Sequence, residues 1–185
     1  MVAPGVTTAE LDAVAEKLIV RRAGAEPAFK GLSRVSGVDL RVDQRGGDSR
    51  HPVGPARAER RATSFRSTSG VSLDGYYGDS AITLPVGRIS EDAATLLRVT
   101  EESLYKAIEQ VRPGARVSDI SHAVQQHVEA HGFSVVREFV GHGIGQRMHE
   151  EPQMPNYGEP GRGPRLAEGM VLAIEPMVNA GQGRR

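Results

Sequence analysis

The 185-residue sequence contains no cysteine and no tryptophan. The first absence excludes a disulfide scaffold, a thiolate metal site and a cysteine nucleophile. Aromatic residues make up only 4% of the chain. Net charge is also missing. The 23 Lys and Arg balance the 23 Asp and Glu, so no single-sign field draws the whole molecule to nucleic acid or membrane. No apolar run approaches the ~18 residues of a membrane helix. The opening, MVAPGVTTAELDAVAEK, lacks a basic region followed by an apolar stretch and does not read as a signal peptide. A cytoplasmic protein is expected, of a length that suits one domain, with two lobes allowed. Lysine is scarce as well: Lys17, Lys30 and Lys106 stand against 20 Arg.

Three helices are predicted. The first opens on Thr7-Thr8-Ala9-Glu10, which fits a capping box, carries Leu11, Val14 and Leu18 at helical spacing, and stops at Gly24. The second covers roughly 90–110, with Ser90 as cap and Leu97, Leu104 and Ile108 on its apolar stripe. The third starts at Ser118 and runs through Ile120, Val124 and Val128 to Gly132. The segments Pro4-Gly5-Val6-Thr7-Thr8-Ala9-Glu10-Leu11 and Pro113-Gly114-Ala115-Arg116-Val117-Ser118-Asp119-Ile120 are faintly alike. They are either two ordinary helix starts or the trace of a duplicated α/β half. Strands are expected at Ala81–Leu84, Phe133–Phe139 and Met170–Ile174, and an ordered loop over Glu151–Gly163.

Residues 32–70 break this pattern. They hold eight Arg, no Lys and four acids (Asp39, Asp43, Asp48, Glu59), so the block is about +4 and the rest about −4. With few apolar residues and no period, it reads as a disordered Arg/Ser/Gly segment, and as a basic nucleic-acid-binding insert in the rival reading.

Three other stretches place metal-capable side chains beside glycines. They are Asp74-Gly75-Tyr76-Tyr77-Gly78-Asp79-Ser80; Gly141-His142-Gly143-Ile144-Gly145 followed by Met148-His149-Glu150-Glu151-Pro152; and Gly169-Met170-Val171-Leu172-Ala173-Ile174-Glu175-Pro176. Singly, each has a bland reading as a turn aspartate, a satisfied histidine or a surface glutamate. Together, two carboxylates and an imidazole make a mixed oxygen and nitrogen donor set, suited to Mn, Fe, Co or Zn. Glycines beside His142 let backbone approach closely. His127-Val128-Glu129-Ala130-His131 sets two imidazoles at i, i+4 but lacks the order of a zinc-protease helix, and it reads as surface histidines. Gly141–Gly145 is not followed by the residues of a phosphate loop.

In these stretches the chain resembles the type I methionine aminopeptidases. GHGIGxxMHEEPQxPNYG, L-x-x-GMVxxIEPMVN, DGYYGDSA with its following PVG, APGVTTAELD and PAFKG carry the likeness over about 2–31 and 71–181. The resemblance implies an α/β pita-bread fold of two pseudo-symmetric halves, in one catalytic domain over 1–185. It implies removal of the N-terminal methionine of nascent polypeptides by a metal-activated hydroxide. Asp79, His142 and Glu175 would then be metal ligands, with Asp79 bridging two ions. His149 would contact the substrate peptide and steady the tetrahedral intermediate, and Met148 would line the methionine pocket. The cofactor would be Co, Mn, Fe or Zn. Proximity to the ribosome, a monomeric state and no membrane or specific nucleic-acid partner go with this reading.

The resemblance also exposes gaps. Over 32–70 the family carries a YxGFPASIC-like run, a HGIP motif and a GD-x-x-x-IDVG motif, and none is present. Shifted by one base, GC-rich codons for Leu32 to Val53 can encode Tyr-Arg-Gly-Phe-Pro-Ala-Ser-Ile and then a His-Gly-Ile-Pro run. Arg61 to Ser69, shifted the other way, can give Glu-Gly-Asp-Val-Leu-Ser-Ile-Asp-Val. A frame slip corrected near Gly70 is therefore the hypothesis. Resequencing the locus tests it: a clean frame encoding 32–70 as written would establish a genuine insert instead. The family's first helix and its last strand, with a metal-bridging Glu, are also not found, so a chain cut at both ends is expected. The first ion keeps three protein ligands and the second only Asp79. At most one ion and impaired activity are expected. Two alternatives stand beside this: a non-catalytic pita-bread relative that binds RNA or the ribosome through the Arg-rich segment, and a proline-type aminopeptidase of the same fold.

Overall fold

The computed structural model describes residues 2–3, 5–28, 38–43 and 63–181. They gather into two compact units, Met1–Glu91 and Asp92–Arg185.

The first unit opens with α1 (Thr8–Leu18). Its capping box forms as the sequence predicts. The Thr7 hydroxyl accepts from the Glu10 N–H at 3.2 Å, and the Glu10 carboxylate accepts from the Thr7 N–H at 2.7 Å. A π-helical turn over Ile19–Ala23 extends it to Gly24, which closes it in the left-handed region. The sheet that follows has β1 (Glu26–Pro27), β2 (Val38–Asp43), β3 (Thr63–Leu73) and β4 (Tyr76–Val86). β3 and β4 form an antiparallel hairpin registered from Thr63↔Val86 to Leu73↔Tyr76. Its two-residue turn is Asp74-Gly75, with φ 51° and 82°. Both central residues have positive φ, the type I′ pattern that matches strand twist, and Asp-Gly is among the pairs that tolerate it. The other edge of β3 takes β2 along Ser64–Ser69 and β1 at Val71–Ser72. Phe65 and Val86 are buried, with Val2 and Leu11 packed on them.

The expectation of disorder over 32–70 is corrected here for Val38–Asp43 and Thr63–Gly70, which lie in strands. Composition misleads because pairing decides: β3 is held by its hairpin partner and by the buried Phe65, and β2 pairs with β3. Residues 32–37 and 44–62 lie outside the described residues, and the disorder reading with them.

The second unit contains α2 (Glu91–Ile108) and α3 (Val117–Ala130). On α2, the Arg98 guanidinium donates to Glu102 Oε1 at 2.7 Å and holds the Glu102 carboxyl below the usual carboxylate range. The start of α3 differs from the sequence reading. Val117 begins the helix one residue ahead of the expected Ser118, whose hydroxyl is engaged with the backbone of Arg162, accepting from its N–H at 2.6 Å. The cap position falls at Arg116, whose N–H donates to the Asp119 carboxylate at 2.8 Å. That bond and one from the Gly161 N–H lower the Asp119 carboxyl.

The faint repeat has a structural counterpart. In both copies a glycine at positive φ (93° at Gly5, 84° at Gly114) precedes the cap position by two residues. In both, the following N–H bonds back by three residues: Val6 to Ala3 at 3.2 Å, and Ala115 to Arg112 at 3.1 Å. In both, an acid three residues past the cap position accepts from its N–H. One copy sits in each unit.

Ile120, Val124 and Val128 on the inner face of α3 form the core with Ala107, Val117, Val135, Met154 and Leu166. Short strands surround it: β5 (Ser134–Val135), β6 (Gly141–Gly143), β7 (Glu150–Met154), β8 (Leu172–Ala173) and β9 (Val178–Asn179). The sheet order is β7–β6–β8, and β5 pairs with β9. Expected strands contract. Of Phe133–Phe139 only Ser134–Val135 pairs, and of Met170–Ile174 only Leu172–Ala173. Phe139 and Val171 are exposed, so apolar composition there does not mark a buried ladder. Conversely, the expected loop over Glu151–Gly163 begins inside β7, with Pro152 and Met154 buried. Beyond β7 it is an ordered loop tied to α3. The Gly158 N–H donates to Gln125 Oε1 at 3.1 Å, and the Gly161 N–H to Asp119 Oδ1 at 2.7 Å. Among the described residues no helix is long and apolar enough to cross a membrane.

Candidate metal centre

His142 stands in the middle of β6 with β7 on one side and β8 on the other. The flanking glycines are a steric requirement. A Cβ on Gly141 would run into the Ala173 carbonyl, and one on Gly143 into the carbonyl of Glu151. Three strands can therefore close around His142, which is only 7% exposed. Its Nδ1 lies 2.8 Å from the Gly143 carbonyl oxygen. A carbonyl can only accept, so Nδ1 carries the hydrogen, which leaves Nε2 as the ring nitrogen available to a metal. That Nε2 is 3.2 Å from Glu175 Oε1. Glu175 follows β8 and is half-buried. An imidazole whose far nitrogen is anchored on a backbone carbonyl, with a carboxylate oxygen at ligand spacing, is the arrangement a divalent ion requires.

His149 lies across from His142, their rings meeting edge-on with centroids 4.4 Å apart. It is exposed, at the end of the turn from β6 into β7. That turn is held by the Arg147 N–H donating to Glu150 Oε1 at 2.8 Å. Met148, half-buried, precedes it. The second unit thus brings together His142, Glu175 and His149, with Met148 adjacent. Asp79 belongs to the first unit, on β4, paired with Gly70 of β3.

One cluster went unseen in the sequence. His127 Nε2 lies 3.1 Å from Glu102 Oε2, and the His127 and His131 rings are 4.6 Å apart. The i, i+4 spacing shows the two imidazoles, but nothing in the sequence signals a carboxylate 25 residues earlier.

Residues 1–184 match metallopeptidase family M24. The chain belongs to that family. This M24 member is similar to methionine aminopeptidase 1 of Bacillus subtilis, 51% identical over 179 residues that cover 96% of this chain and 71% of that protein. It is similar to the methionine aminopeptidase of Clostridium perfringens, 50% identical over 99% of this chain and 72% of that one. Among solved structures it resembles the methionine aminopeptidase of Thermotoga maritima, with TM-score 0.89 and 38% identity, covering 99% of this chain and 73% of that chain. The prolidase of Pyrococcus furiosus has TM-score 0.76 at 24% identity over 94% of this chain and 48% of that one, a likeness of fold alone. The M24 member has the α/β pita-bread fold and is of the metalloaminopeptidase type.

Proposed function

We propose that this chain acts on the N-terminal methionine of polypeptides, with Asp79, His142 and Glu175 holding a divalent ion of the Mn, Fe, Co or Zn class. The observation that carries the reading is the His142–Glu175 pair, with Nδ1 of His142 anchored on Gly143 and Nε2 3.2 Å from the carboxylate. Asp79 enters through the matching DGYYGDSA segment. When bound, such an ion lowers the pKa of a water toward neutrality and polarises the scissile carbonyl. His142 and Glu175 fix the ion. The exposed His149, beside His142, contacts the substrate peptide, and Met148 lines the pocket for the methionine side chain. A cytoplasmic monomer working near the ribosome accords with that substrate.

Activity of the chain as written is expected to be low. On the frame-slip reading, the aspartate of the IDVG motif would stand where Thr68 does. Thr68 pairs with Ala81, and Asp79 with Gly70, so Thr68 and Asp79 share one face of the sheet as diagonal neighbours. A threonine there is a poor ligand for a second ion. Metal content and hydrolysis of a Met-Ala-Ser peptide with added Mn or Co test both points. One ion at this centre with little turnover is expected, and Thr68→Asp should increase bound metal. Robust turnover by the unmodified chain would refute the impairment, and no bound metal at all would refute the centre.

A further inference from the structure

We propose that Glu102, His127 and His131 form a separate site for a zinc-class divalent ion that clips α2 to α3. The inference is independent of the aminopeptidase reading and uses none of its residues. One ligand atom from each of the three lies within 4.8 Å of the others. His127 lies in the last turn of α3, and His131, four positions on, is the residue that ends the helix, its ring 4.6 Å from that of His127. Glu102 reaches them from α2, so the set bridges two helices.

The spacing suits an ion. Zinc bonds to nitrogen and carboxylate oxygen are about 2.0–2.2 Å, and a tetrahedral arrangement then separates two donors by roughly 3.3 Å. The 3.1 Å between His127 Nε2 and Glu102 Oε2 is already close to that edge. The His131 donor already lies within 4.8 Å of the other two, so a small shift of this exposed side chain brings it onto the same ion.

The surrounding bonds orient the donors as metal sites do. His131 Nδ1 lies 2.8 Å from the His127 carbonyl oxygen, so it carries the hydrogen and leaves Nε2 for the ion. Glu102 uses Oε1 to accept from Arg98 at 2.7 Å, which leaves Oε2 turned toward His127. A groove of about 390 Å³ lined by Lys106, Gln110, Ala123, Gln126, His127 and Ala130 gives an entry path. The one cation in its wall, Lys106, is paired with Glu109 at 3.2 Å. Glu129, between the two histidines in sequence, is bonded to Gln125 at 2.9 Å instead.

The chemistry selected is that of a borderline divalent ion, Zn or Ni, since two imidazoles and one carboxylate suit these better than Mg or Ca. Three protein donors leave one position to water. The consequence is mechanical: an ion here would tie Glu102 to the helix that carries Ile120, Val124 and Val128, the inner face of the core.

The test is zinc titration of the full chain carrying His142→Ala, so that the proposed catalytic ion is not counted, alongside the same chain with His131→Gln. Binding and a zinc-dependent rise in Tm are expected for the first. In the second, affinity should weaken at least ~10-fold, and the rise in Tm should disappear. Glu102→Gln should act in the same direction. Equal zinc affinity with and without His131, or no zinc bound to the His142→Ala chain, would overturn the proposal. The unmodified chain supplies a second readout. The side-chain nitrogen resonances of His127 and His131 should shift together at the first equivalents of zinc, and unmoved resonances would also overturn it.

Discussion

Replacing His142 by Ala is expected to weaken Co or Mn binding at the candidate centre by ~100-fold or more, because even a residue that merely orients a ligand costs 10–100-fold. The structure leaves the ion no substitute nitrogen on β6, since both neighbours of His142 are glycines that cannot be exchanged. Glu175→Ala should produce a loss of the same order. His149→Ala should separate from both. On the proposed reading His149 contacts the substrate, so this change should leave metal affinity within a few-fold while lowering any residual turnover. The measurement is equilibrium dialysis with Co in a chain that also carries His131→Gln, which silences the α2–α3 cluster. Urea midpoints establish that each variant is folded. Unchanged Co affinity in a folded His142→Ala chain would remove the centre from β6.

Gly143→Ala should destabilise the second unit severely, costing on the order of 3 kcal/mol. The added Cβ would meet the Glu151 carbonyl oxygen, a backbone atom of the paired strand β7. No side-chain rotation relieves that contact, so β6 and β7 must part, taking His142 with them. Gly145→Ala is the internal comparison. Its nearest neighbours are the Glu150 carboxylate oxygens at 3.1 and 3.2 Å, the mobile end of a side chain. Its cost should stay nearer 1 kcal/mol. Urea unfolding gives both values. Equal midpoints for the two variants would show that strand spacing is not what demands glycine at 143.

Local features were legible in the sequence where local physics suffices. The Thr7–Glu10 capping box, the Gly24 stop and the spans of α2 and α3 follow from propensity and periodicity, and His142 stood out through its glycines. Elements defined by distant partners were not legible. β8 and β9 have two residues each and exist only through β6 and β5. β7 contains Pro152 and sits in a run rich in proline, yet it pairs with β6 and buries Met154. Ser118 was expected to start α3, but the sequence does not show that Arg162, 44 positions later, engages its hydroxyl. The Arg-rich block obscured β3 for the same reason. The pairing that makes Thr63–Gly70 a strand comes from β4. Of the site, the sequence indicates the residue types and their glycine settings. It does not indicate the Gly143 carbonyl that fixes the His142 tautomer, because a backbone acceptor has no letter of its own.

The Asp74-Gly75 turn has a further effect on Asp79. Side chains along β4 alternate between the two faces of the sheet, so the count of residues from the turn decides which one presents a carboxylate. One residue lost between Gly75 and Asp79 would place Ser80 in that position, and one residue gained would place Gly78 there. Every other position up to Val86 would change sides as well, unless a bulge absorbed the step. Substitutions at Tyr76, Tyr77 or Gly78 can be judged by size and polarity. Insertions and deletions there act as errors of phase, and a change of a single residue is enough to turn the carboxylate to the opposite face of the sheet.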